Sequence, residues 1–154
     1  MIRFKTNRLE LTPFLVLLAF TVVALFLRLY RLHELEPGLK FDEGWNGLYA
    51  LQVLQGEHAL TFGDKEGLGV YLIALATKVL GRTPLALRLP TALASASTVL
   101  VVFWLGRLLF EWGENGTATR RRSLAVGAIG AGLLAVSLGQ TIMGRTAYLS
   151  LIHI

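Results

Sequence analysis

The sequence predicts an all-α integral membrane protein, a multi-pass helix bundle with short interfacial helices in its first extracytoplasmic loop. Three observations carry this prediction. Apolar residues make up 54% of the 154 and charged residues 16%, and mean hydropathy is +0.58, a balance that water-soluble domains of this size rarely show. Three uncharged runs are long enough to cross a hydrocarbon core. Lys and Arg gather at the ends of those runs, so a net charge of +5 and a pI near 10.0 describe membrane flanks. With no contiguous basic element, nucleic acid is not an expected partner. Cysteine is absent, which excludes a disulfide framework and a thiolate metal site. His33, His58 and His153 are spaced unlike any zinc motif.

Taken in order, Arg3, Lys5 and Arg8 precede an uncharged run of about 17 residues from Leu11 to Leu27, the lower limit for spanning. A signal peptide shares this pattern, but Arg28-Leu29-Tyr30-Arg31 follows, with no small-residue cleavage site. Residues 11–29 are therefore read as the first span, with the N-terminus cytoplasmic. Residues 30–66 lie outside, with turns at Pro37-Gly38 and Gly63-Asp64. Between the turns, 43–55 reads as a short helix too short to span, with Trp45 and Tyr49 at headgroup depth. The run 67–80 reads as a second short helix that dips or lies flat, since about 14 residues reach only about 21 Å; the alternative, that it crosses, inverts every later loop. Residues 89–106 and 124–144 can span, and Arg120-Arg121-Arg122 between them belongs in the cytoplasm. Small residues mark both spans as close-packing: Ala92, Ser95 and Ala96 in one, Gly127, Ala128, Ala131, Gly132 and Ala135 in the other.

The acidic pair Asp42-Glu43 stands at the start of the first short helix. Carboxylates beside a membrane are costly to desolvate, so they either cap the helix or hold a reactive or cationic group. Phe41-Asp42-Glu43, then Lys65-Glu66-Gly67-Leu68-Gly69-Val70-Tyr71-Leu72, then Leu80-Gly81-Arg82-Thr83-Pro84-Leu85-Ala86-Leu87-Arg88-Leu89-Pro90, follow in an order that resembles a known superfamily. These are the polyprenyl-phosphate-sugar-dependent membrane glycosyltransferases of the protein O-mannosyltransferase and aminoarabinose-transferase type. The resemblance covers about residues 10–148 and implies the N-terminal part of a GT-C-type fold in the plasma membrane, its active-site loop extracytoplasmic.

What the resemblance implies for single residues is as follows. Asp42 is the catalytic aspartate, taking a proton from an acceptor that is a lipid, a glycan or a protein. A polyprenyl-phosphate sugar is the donor, and its anomeric centre inverts. Arg88, Arg145 and Lys65 face the donor phosphate, as arginine suits bidentate phosphate contact, although each arginine also reads as an interfacial snorkeller. Glu43 has three open roles: orienting the acceptor, binding a divalent cation, or complementing the helix dipole. No other cofactor is implied. Trp45, Tyr49, Glu66 and Tyr148 fall on the acceptor or interface side. Two blocks depart from the family pattern. Lys65-Glu66-Gly67 lacks the prolines usual there and has glutamate where a basic residue is common, and Gly144-Arg145-Thr146-Ala147-Tyr148 lacks the serine. Family members have on the order of ten or more membrane helices, so three spans are expected to insert without transferring sugar alone. Residues 149–154 read as a non-native tail, resembling a translated transposon-end sequencing adapter. Two other classes stay open: part of a transporter, which should show charges within spans or broken helices, and a non-catalytic structural membrane subunit.

Overall fold

The computed structural model describes residues 8–34, 41–63, 65–111 and 117–146. The turn at Pro37-Gly38, Asp64, Tyr148 and the tail at 149–154 lie outside them. Helix α1 spans Arg8–Leu29 and ends in a single 3-10 turn, Leu32–Glu34. Helix α2 is Phe41–Leu54. Strands β1 (Thr61–Phe62) and β2 (Lys65–Glu66) form an antiparallel hairpin, followed by α3, Gly67–Leu80. Helix α4 covers Pro84–Glu111, α5 Thr117–Val136 and α6 Leu138–Gly144. Among the described residues, two helices are long and apolar enough to cross a membrane, and a third span exists if α5 and α6 make one interrupted crossing.

The third predicted span is thus not one continuous helix. The run 124–144 breaks at Ser137, where a Ser137 N–H donates to Leu134 O at 3.3 Å in a tightened last turn. A serine followed by Gly139 interrupts helices in this way, and counting charges alone passes over it. The span predicted at 89–106 lies inside α4, which begins earlier. Thr83 caps that helix, its Oγ1 accepting from Ala86 N–H at 3.2 Å, and Pro84 opens it, where a missing N–H costs nothing.

The chain divides into two compact units, with boundaries inside α1 and α4. The first holds Met1–Leu25 and Ala96–Ser137. Its core is Leu17 and Ala24 of α1, Ala96, Val99 and Phe103 of α4, and Ala131 and Ala135 of α5. The small residues act as expected: a Cβ placed on Gly127 would stand 2.6 Å from Phe103 O, so the two helix backbones meet directly. The second unit holds Phe26–Ser95 and Leu138–Ile154. There α2 packs on α3 through Ala50, Ile73 and Ala74, with Val53 and Leu87 beside them.

The hairpin in the second unit went unpredicted beyond its turn. Gly63 takes φ +62°, and a Cβ there would meet the Tyr49 hydroxyl at 2.6 Å. Glycine is needed for both reasons. The Gly67 N–H donates to Leu60 O at 2.9 Å and closes the hairpin onto the start of α3.

Candidate functional site

Helix α2 organises the site because its three faces do different things. Residues 43, 46 and 50 share the buried face. Phe41, Trp45 and Tyr49 share the next, an arrangement set by the 3.6-residue period. Gly44, Gly47, Leu48 and Leu51 form the third. Asp42 lies between the buried and the aromatic faces. Both acids fall in the first turn, where the helix N-terminus favours negative charge.

Glu43 is fully buried and Arg88 is 2% exposed. They form a two-pronged ion pair: Arg88 Nε donates to Glu43 Oε1 at 2.9 Å and Nη2 to Oε2 at 2.8 Å. Arg88 Nη1 also donates to Leu32 O at 3.3 Å. One guanidinium thereby joins α4, α2 and the 3-10 turn. Such a pair is costly to assemble and more costly to break, about 3–5 kcal/mol for loss of one partner. The sequence reading gave Arg88 to a donor phosphate. In the structure its fork is turned to the buried Glu43 carboxylate.

Lys65, opposite Phe62 in the hairpin register, brings its Nζ to 3.8 Å from Asp42 Oδ1. The side chains are 16% and 37% exposed respectively. Asp42 is thus the reachable carboxylate, with a cation beside it, and Glu43 the inaccessible one. Arg145 does not join them. Its Nη1 donates to Leu27 O at 2.7 Å and Nη2 to Tyr30 O at 2.8 Å, taking carbonyls at the end of α1 that lack helical partners. Glu66 is exposed at the N-cap of α3 and makes no capping bond with its side chain.

The aromatic face continues past α2. Ring centroids of Phe41 and Trp45 lie 6.0 Å apart, Trp45 and Tyr49 5.7 Å, Tyr49 and Phe62 5.9 Å, and Phe62 and Tyr71 5.9 Å. Tyr49, expected at headgroup depth, is half-buried against the hairpin, while Trp45 stays 42% exposed.

One buried charge has partners that the sequence did not assign. Arg28 in the last turn of α1 is fully buried. Its Nε donates to Ser95 Oγ at 2.8 Å, and Ser95 Oγ donates to Gln140 O at 3.2 Å. An arginine closing an apolar helix, with a serine inside another apolar helix, is the signal that could have found it.

A divalent cation does not fit these residues as they stand: Asp42 faces an ammonium and Glu43 a guanidinium, so each carboxylate already has its cation. Among the described residues no three His, Asp or Glu side chains converge on one point. No family model, curated protein or solved structure matches this chain.

Proposed function

We propose that the chain is the N-terminal part of an integral membrane glycosyltransferase that moves a sugar from a polyprenyl-phosphate donor to an extracytoplasmic acceptor, with Asp42 as general base. The observation that carries this reading is the Asp42–Lys65 pair: a half-exposed carboxylate with an ammonium 3.8 Å away, backed by a second carboxylate held by Arg88. The pair supplies the two opposite charges that the reaction needs side by side. Asp42 takes the proton of the acceptor hydroxyl or amine as that atom attacks the anomeric carbon. The bond from this carbon to the phosphate oxygen breaks, its electron pair leaves with the lipid phosphate, and the centre inverts. Lys65 faces the negative charge that collects on the departing phosphate. Arg88 acts through Glu43, holding the first turn of α2 so that Asp42 keeps its place. The N-terminus is cytoplasmic and the loop bearing Asp42 is outside, in the plasma membrane.

The test is Asp42→Asn in a full-length parent. Asparagine keeps the size and a capping oxygen but takes no proton, and general-base assistance is worth about 100-fold to 10,000-fold. Turnover should fall by at least about 100-fold with donor affinity and melting temperature nearly unchanged. Retention of more than about a tenth of turnover removes Asp42 as the base.

A transporter is the second reading. The interruption at Ser137 and the buried Arg28 on Ser95 favour it, since broken helices and buried charges mark transport sites. In proteoliposomes a transporter moves solute without consuming donor lipid, whereas the transferase consumes donor in proportion to product.

A further inference from the structure

The third face of α2 borders an open groove of about 230 Å³ in the second unit, closed on its other sides by the end of α3 and the start of α4. Its walls are largely hydrocarbon, from Leu48, Leu51 and Leu87. Two features at the same groove are polar. Arg82 lines it and is exposed, with no ion pair or hydrogen bond among the described residues. Thr77 also lines it, 7% exposed, and its Oγ1 has no hydrogen-bond partner among the described residues. The groove further includes Thr83 and Pro84 at the N-terminus of the long helix α4, where the positive end of the helix dipole favours an anion.

We propose that this groove binds one anionic phospholipid of the surrounding bilayer, its phosphate on Arg82 at the α4 N-terminus and an acyl chain along Leu48, Leu51 and Leu87. Charge and shape select this occupant together. A soluble anion uses the cation but leaves the hydrocarbon walls wet; a lipid without phosphate covers the walls but leaves Arg82 unanswered, and in phosphatidylcholine the choline cation already offsets the phosphate charge. Of the two glycines on the groove face, Gly47 is covered by Leu87, and Gly44 fits a chain lying close to the helix. At Gly44 a Cβ would meet nothing within 4 Å, so the space beside this turn of α2 is open. The bound lipid ties α2 to the α3–α4 turn along a face distinct from the aromatic one. The proposal does not depend on Asp42 chemistry.

The experiment uses the full chain in a neutral detergent, with dioleoyl phosphatidylglycerol or dioleoyl phosphatidylcholine added, and native mass spectrometry to count retained lipid. The wild-type chain should keep one phosphatidylglycerol in preference to phosphatidylcholine. Arg82→Gln should weaken that retention at least about tenfold, the loss of one charge-assisted hydrogen bond. Arg82→Lys should keep most of it. Gly44→Leu, whose side chain enters the groove, should reduce both lipids, with helicity measured to confirm folding. Arg82→Gln is a surface change and remains decisive if Gly44→Leu does not fold. Equal retention of the two lipids by the wild type, or unchanged retention in Arg82→Gln, overturns the proposal. So does displacement of phosphatidylglycerol by an equimolar polyprenyl phosphate, which makes the groove a donor site instead.

Discussion

The two units of this chain bury different chemistry. The first closes on Leu17, Ala24, Ala96, Val99, Phe103, Ala131 and Ala135, and among the described residues its buried polar side chain is Ser123, which donates at 2.9 Å to Arg120 O in its own turn. The second buries Arg28, Glu43, Asn46, Thr77, Arg88, Thr91 and Ser95, and its central bonds join residues far apart in sequence. Where helices meet through apolar groups, truncating a side chain costs its contacts and a cavity but leaves no charge uncompensated. Where they meet through charges, each partner depends on the other, because a buried charge left alone is expensive. That contrast separates a unit closed by apolar packing from one held together by buried charges.

Impermeant labelling gives the largest, all-or-none contrast. With the proposed orientation, cysteine introduced by Thr61→Cys or Arg82→Cys should react from outside, and Thr117→Cys should not. Reaction at Thr117→Cys with protection at Arg82→Cys inverts the orientation and removes the extracytoplasmic site.

Next comes the buried ion pair. Arg88→Leu should destabilise the chain by about 3–5 kcal/mol in chemical unfolding, because Glu43 stays buried without its partner. Adding Glu43→Leu should restore most of the loss, since two apolar groups need no counterion. If the double variant is no more stable than the single one, the cost lies in packing and the contrast between the units weakens.

Glycine tests the same contrast sterically. Gly127→Ala in the first unit sets a methyl against Phe103 O and should cost about 1–3 kcal/mol. Gly44→Ala in the second meets nothing and should raise stability by up to about 1 kcal/mol, the ordinary gain of alanine over glycine within a helix. Equal effects on melting temperature would mean that α4 and α5 do not approach as closely as Gly127 indicates.

Two serines make the finest comparison. Ser95→Ala removes the oxygen that accepts from the buried Arg28 and should cost about 1–3 kcal/mol. Ser123→Ala removes a bond within one turn and should change stability by less than about 1 kcal/mol. Thermal unfolding of both variants in one detergent separates them, and a Ser123→Ala loss as large as that of Ser95→Ala would contradict the division.

The sequence by itself determined what depends on near neighbours. An uncharged run from Leu11 and a charge at Arg28 are enough to place α1, and the run Gly67–Leu80 between a turn and Gly81 matches α3 to the residue. The acidic pair was placed at the start of a helix, and it lies in the first turn of α2. Length, charge and helix-end chemistry act over a few residues, so they can be read in order along the chain. Tertiary structure decided which charges meet. Arg88 and Glu43 stand 45 positions apart, and nothing local distinguishes that arginine from one waiting for a phosphate or snorkelling to an interface. Arg145 likewise serves Leu27 O and Tyr30 O at the end of a distant helix. A buried guanidinium takes the partner that folding brings within about 3 Å, and that choice depends on how α1, the 3-10 turn, α2 and α4 pack, which no local pattern of residues encodes.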